Sequence, residues 1–164
     1  MGPNGAGKSS LLRIMAGLLR AQAGRLEYEG RGEAPCIHYL GHADALKPAL
    51  TLREILAFWA ILYGAAERRD FSIAADIVGL GHALDLPVGV LSAGQRRRAG
   101  LARLLVAPRP VWLLDEPAAS LDADGEAMVG ALMRDHVEAG GLIVAATHLP
   151  LPAAPDAVLT LAAA

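Results

Sequence analysis

Met1-Gly-Pro-Asn-Gly-Ala-Gly-Lys-Ser-Ser10 opens the chain, and the fold is decided there. Gly2, Gly7, Lys8 and Ser9 satisfy G-x-x-x-x-G-K-[ST], the spacing of a loop that wraps the phosphates of a nucleotide. Gly2, Gly5 and Gly7 allow positive φ and close approach, so that successive backbone N–H groups turn toward phosphate oxygens. The whole stretch Gly2, Pro3, Asn4, Gly5, Ala6, Gly7, Lys8, Ser9 and Ser10 is therefore the expected nucleotide cradle. Lys8 directs a positive charge at the β- and γ-phosphates, and the Ser9 hydroxyl is placed to ligate Mg²⁺. The run Ser10–Leu19 that follows has helical spacing, so the loop opens onto a helix N-terminus whose dipole favours anions.

Loops of this kind sit between a buried parallel strand and a helix, and Met1 stands where the last residue of that strand belongs. The expectation is a sheet whose N-terminal strands are missing, as from a truncated gene model. An in-frame apolar strand encoded upstream of Met1 supports this, and an in-frame stop codon contradicts it.

Composition narrows the class. A chain of 164 residues suits one domain, and a formal net charge of −2 argues against nucleic acid as the main partner. The single cysteine, Cys36, cannot form an internal disulfide. Hydrophobic residues make up 54 %, yet the longest nearly uncharged apolar run, Ile55–Ala66, is too short to cross a bilayer.

Outward from the loop, Arg25–Glu29 alternates polar with apolar residues and predicts a strand, as does Pro35–Leu40. Leu52–Tyr63 and Ile73–Leu80 have helical periodicity, with Thr51 and Ser72 as expected caps. Residues 51–100 are expected to form a helical subdomain within the one domain. Arg96–Ala107 predicts a helix ended by Pro108 and Pro110, with Arg96 to Arg98 on its solvated face. Val111–Leu114 is a continuous apolar strand suited to the middle of a parallel sheet. Asp122 is placed to cap a helix reaching about Ala139, Gly140-Gly141 stops it, and Leu142–Ala146 is another buried strand ending at Thr147-His148. Ala157–Leu161 predicts a last short strand.

The strand at Val111–Leu114 delivers two acids at its C-terminal end. Asp115 is the second expected magnesium anchor, acting with Ser9. Glu116, one residue on, points elsewhere and is the candidate that polarises the attacking water.

GPNGAGKS, LSAGQ (Leu91–Gln95), LLDEP (Leu113–Pro117), SLD (Ser120–Asp122) and His148 follow one another in the order and approximate spacing of ABC-type ATPase domains, which this chain resembles. The resemblance implies an α/β P-loop NTPase fold with a mostly parallel sheet and a helical subdomain, binding ATP and Mg²⁺. It further implies that Ser92, Gly94 and Gln95 grip the nucleotide of a second, facing copy, that SLD spans the dimer interface, and that His148 contacts the γ-phosphate beside the catalytic candidates Glu116 and Lys8. Ala93 stands where the family usually has a glycine.

Tyr39–Pro48, Leu50–Gly64 and Leu91–Leu105 are similar, more narrowly, to the ATP-binding subunits of the bacterial haem exporter of cytochrome c maturation. That likeness implies a homodimer of ATPase domains at the cytoplasmic face of the inner membrane, coupled to an integral membrane subunit and working in haem export or release of haem-loaded chaperone. No direct haem binding by this subunit is expected, and the Cys36/His38 pair is taken as structural. His42 falls where the family carries glutamine. Imidazole is a poorer Mg²⁺ ligand than an amide oxygen, which leaves a coupling role open. Phe58, Trp59 and Tyr63 are expected in the core or, if exposed, at a docking site for a membrane subunit. Two alternatives remain: an ATPase subunit of another small-molecule exporter, and an inert fragment that binds partners without turnover.

Overall fold

Four apolar residues followed by an acid, Val111–Asp115, form the central strand of a parallel sheet in the computed structural model of the chain. The structure describes residues 5–28, 37–65, 70–148 and 150–161. In chain order the elements are α1 (Lys8–Met15), β1 (Ile37–Leu40), α2 (Leu52–Leu62), α3 (Ser72–Ile77), α4 (Ala93–Val106), β2 (Val111–Asp115), α5 (Ala123–Glu138) and β3 (Leu142–Ala146). Single 3-10 turns lie at Gly81–Ala83 and Val88–Val90. β1 and β3 flank β2, with Leu40 opposite Leu114 and Asp115 opposite Ala146. Every residue of β2 is buried, which is why its sequence shows no alternation.

The chain divides into two compact units. One comprises Met1–His42, Arg109–Pro117 and Val129–Ala164, and contains the sheet and α1. Its core gathers Leu12 of α1 with Val111, Leu113 and Ala146 of the strands, and Met15, Ile37, Tyr39 and Val144 pack around them. Burying α1 on β2 and β3 fixes the loop before it at the carboxyl ends of those strands.

The other unit comprises Ala43–Pro108 and Ala118–Met128, and is helical. Leu52, Ile55, Leu56 and Ala60 of α2 and Ala74 and Ala75 of α3 are buried, and both helices pack on α4. Thr51 caps α2 in a reciprocal box with Glu54: the Thr51 hydroxyl accepts from the Glu54 amide and the Glu54 carboxylate accepts from the Thr51 amide.

Several expectations change. Residues 25–28 are irregular, and Glu29 lies outside the described residues. An alternating segment forms a strand only when a neighbour takes its backbone hydrogen bonds, and 25–28 has no ladder partner among the described residues. Residues 157–161 form no strand either, for the same reason. The cap of α3 is not Ser72: Asp70 Oδ1 accepts from the Ser72 amide at 2.9 Å, and that bond is the first cause holding the Asp70 carboxyl below its usual range. The arginine run is not a solvated face. Arg97 is 3 % exposed and meets Asp44 at 2.7 Å, Arg98 meets Asp122 at 2.6 Å, and Arg96 donates to the Leu91 carbonyl at 2.5 Å. Phe58 is 57 % exposed, whereas Trp59 and Tyr63 are half-buried and stack on each other. His38 is fully buried, and Cys36 lies outside the described residues.

Candidate active site

At the carboxyl ends of the strands, Gly5, Gly7, Lys8, Ser9, Ser10, His42, Asp115, Glu116 and His148 line one cleft of about 410 Å³. All of them belong to the sheet-bearing unit. The volume is in the range of small-molecule sites. Gly5 and Gly7 line the cleft with φ of 84° and 87°, conformations that other residues resist. Gly7 is the N-cap of α1, no side chain caps that helix end, and the first residues of the helix, Lys8, Ser9 and Ser10, line the cleft. Ala6 lies within the same turn but does not line the cleft, and Gly2, Pro3 and Asn4 lie outside the described residues.

Opposite the loop, β2 delivers Asp115, 2 % exposed, and then Glu116. Glu116 has φ of 51°, a left-handed conformation that is costly for a residue with a Cβ. Its amide donates to the Ala146 carbonyl at 2.8 Å, which extends the ladder one step past β2 and brings the side chain against the end of β3. There the carboxylate is gripped from both sides. Oε1 accepts from the His148 amide at 3.1 Å and lies 2.8 Å from His148 Nδ1, while Oε2 accepts from the Thr147 hydroxyl at 3.1 Å. The His148 side chain is 53 % exposed, that of Glu116 only 14 %. A hydrogen bond with the Tyr39 hydroxyl holds the Arg13 guanidinium above its ordinary value, and the charge of Asp115 adds to the effect.

The donor set suits a magnesium nucleotide. A cation, a helix N-terminus, two serine hydroxyls and the buried carboxylate of Asp115 converge, and Mg²⁺ takes hard oxygen ligands, one or two from protein and the rest from phosphates and water. Among the described residues no group of three or more His, Cys, Asp or Glu is arranged to hold a metal unaided, and such a site needs none.

Ser92, Gly94 and Gln95 are not among the residues lining this cleft. They form the start of α4 in the helical unit, where Ser92 is the N-cap, and the helix starts at Ala93, close to the start near Gln95 expected from sequence. The Ser92 hydroxyl accepts from the Gln95 amide at 3.1 Å, and Gln95 Oε1 accepts from the Ser92 amide at 2.9 Å. The SLD turn lies against it: a Cβ on Gly94 would meet the Ser120 carbonyl oxygen at 3.0 Å, and Asp122 joins α4 through Arg98. The Gly125 amide first, and then Arg98, hold the Asp122 carboxyl below its usual range. Thr147 and the Ser92/Gln95 box were not singled out from sequence. The box is legible as S-x-x-Q; Thr147 is legible only from strand register.

The family described as ABC transporter matches residues 1–119. The cytochrome c biogenesis ATP-binding export protein CcmA of Rhodopseudomonas palustris (strain BisB5) is 55 % identical over 156 residues, covering 92 % of this chain and 77 % of that protein. The CcmA protein of Chelativorans sp. (strain BNC1) is 56 % identical over 156 residues, covering 92 % and 76 %. A solved dimer of the ATP-binding cassette MJ0796, in a post-hydrolysis state bound to ADP and Pi, is 25 % identical with a TM-score of 0.78, covering 90 % of this chain and 72 % of that one. By its ordered motifs, its sheet and these likenesses, the chain belongs to the ABC transporter family of ATPases and, within it, to the CcmA family of ATP-binding export proteins.

Proposed function

We propose that this chain is the ATP-hydrolysing subunit of an export complex in cytochrome c biogenesis, moving haem or releasing a haem-loaded chaperone. The observation that carries the reading is the meeting of the Gly5–Ser10 loop with Asp115, Glu116 and His148 in one cleft. The loop amides and Lys8 bind the β- and γ-phosphates and neutralise charge that builds on them as the terminal group departs. Ser9 and Asp115 would hold Mg²⁺, which when bound supplies Lewis-acid polarisation of the phosphate oxygens. Glu116 orients the attacking water and accepts its proton as the new P–O bond forms and the bond to ADP breaks. His148, more exposed than Glu116, is able to turn from Glu116 toward the γ-phosphate.

The nucleotide is sandwiched between two copies. In the Ser92 box the hydroxyl oxygen accepts from Gln95, which leaves its own proton to donate to the phosphate held by the facing copy. Gly94 and the start of α4 bring backbone amides to the same place. A membrane subunit is the second partner. Phe58, Ile61 and Leu62 share one face of α2 and are exposed, as are Ile73 and Ile77 on α3, and these apolar faces suit the cytoplasmic helix of such a subunit. Among the described residues no helix is long and apolar enough to cross a membrane. The need for ATP and for a membrane partner places the chain at the cytoplasmic face as a peripheral subunit.

Steady-state hydrolysis of MgATP by the chain assembled with its membrane partner tests the reading. Glu116→Gln is expected to lower kcat by at least about a hundredfold while leaving nucleotide affinity within about threefold. Wild-type protein without ATPase activity, or a Glu116→Gln variant that keeps its rate, contradicts it.

A further inference from the structure

A glutamate carboxylate turns about a broad, two-fold terminal torsion, so its covalent frame does not aim it. Whatever aims Glu116 must do so through hydrogen bonds. The structure shows two anchors of different kinds. His148 holds Oε1 through its ring and its amide, but its side chain is 53 % exposed and it belongs to the cleft. Thr147 holds Oε2 through its hydroxyl at 3.1 Å, is 4 % exposed, and does not line the cleft. Its place is set by the sheet: Asp115 pairs with Ala146, so the next residues of the two strands, Glu116 and Thr147, stand side by side. Glu116 has a positive φ, and its side chain reaches that neighbour.

We infer that Thr147 is a positioning residue for Glu116, the fixed pin that keeps Oε2 in place while Oε1 is exchanged between the His148 ring and the attacking water. This rests on the reading of Glu116 as the base. It gives the two anchors separate tasks. When the His148 ring turns to the phosphate, Oε1 keeps only the His148 amide and takes up water, and without Thr147 the carboxylate would then hang on that single bond and could swing about it. The burial of Thr147 removes competition from solvent, which makes its hydroxyl a better pin than an exposed one. A β-branched side chain, stiff at χ1, holds that hydroxyl in one direction.

The test compares Thr147→Val, which keeps shape and loses the hydroxyl, with Thr147→Ser, which keeps the hydroxyl and loses the methyl. Wild type, both variants and Glu116→Gln are assayed as the full chain with its membrane partner. kcat and KM for MgATP are measured, together with the dissociation constant of a fluorescent ADP analogue and the melting temperature. Thr147→Val is expected to lower kcat about ten- to a hundredfold with KM and ADP affinity within about twofold, and Thr147→Ser to recover most of the rate. Wild-type kcat in Thr147→Val overturns the inference. So does a Thr147→Ser variant as slow as Thr147→Val, which would assign the effect to packing of the methyl group, or a loss that falls equally on ADP affinity. If Thr147→Val melts too low to assay, the Thr147→Ser and Thr147→Ala pair is compared instead, with the same kcat split expected and equal rates overturning the pin. If Glu116→Gln keeps its rate, the underlying reading fails whatever the Thr147 variants do; if Glu116→Gln is inactive and Thr147→Val is not, only the pin fails.

Discussion

Two histidines on the sheet-bearing unit stand in opposite kinds of surroundings. His148 follows the carboxyl end of β3, keeps half its side chain in solvent and shares a carboxylate with Thr147. His136, near the end of α5 and beside the amino end of β3, lies flat on Trp112 with ring centroids 3.9 Å apart and planes 12° apart. Its Nε2 is buried without a hydrogen-bond partner among the described residues, directly over Gly141. The same side chain thus lines an open cleft at one end of the strands and packs on a ring at the other. Parallel strands explain the difference. Their carboxyl ends splay into loops and leave a crevice where polar groups reach a ligand, while their amino ends are closed by the helices that return to them.

The contrast breaks most visibly at Lys8. Lys8→Ala is expected to weaken MgATP binding at least about tenfold, read by nucleotide titration, with little change in melting temperature, because the side chain lines the cleft and no core. Unchanged affinity would mean that the loop does not hold the phosphates.

At the other end the expected signature is reversed. A Cβ on Gly141 would lie 2.2 Å from His136 Nε2, so Gly141→Ala has to displace the ring from Trp112. A loss of about 1–3 kcal/mol in urea unfolding is expected, with nucleotide affinity unchanged. A variant as stable as wild type would show that the stack is loose.

The smallest effect concerns pH. Burial lowers the pKa of His136 because the imidazolium loses solvation, and backbone hydrogen bonds with Pro110 and Leu142 only partly oppose this. The unfolded chain therefore binds this proton more readily than the folded one. The contribution is fully present above the ordinary imidazole range near 6.5 and is lost as pH falls through the lower folded value. Thermal unfolding between pH 7.5 and 5 is expected to show this loss in wild type and a shallower one in His136→Phe, which keeps a stacked ring without a titrating nitrogen. Equal slopes would remove His136 from the account.

How much of this was legible depended on whether the cause was local. The loop is one continuous motif and the all-apolar strand runs straight into its two acids, so each could be read directly, and the structure brings both to one cleft. Arg25–Glu29 misled because alternation records what a strand would bury and not whether a partner strand is present. In sequence Arg97 reads as a solvated residue because its partner Asp44 is 53 positions away and only the packing of α4 brings them together. Thr147 was invisible for a similar reason: its contact with Glu116 follows from the one-to-one register of β2 and β3, which no motif encodes. The left-handed φ of Glu116 was equally hidden, since glutamate carries no propensity for it.

The central claim is that the loop and the end of β2 act on one triphosphate. Its most direct test is a double-mutant cycle on MgATP affinity with Lys8→Ala, Asp115→Asn and the pair combined. Each single change is expected to weaken binding about tenfold or more, and the double variant by clearly less than the product, because both groups act through the same phosphate and metal cluster. Wild-type affinity in Asp115→Asn, or losses that multiply without coupling, would contradict the account.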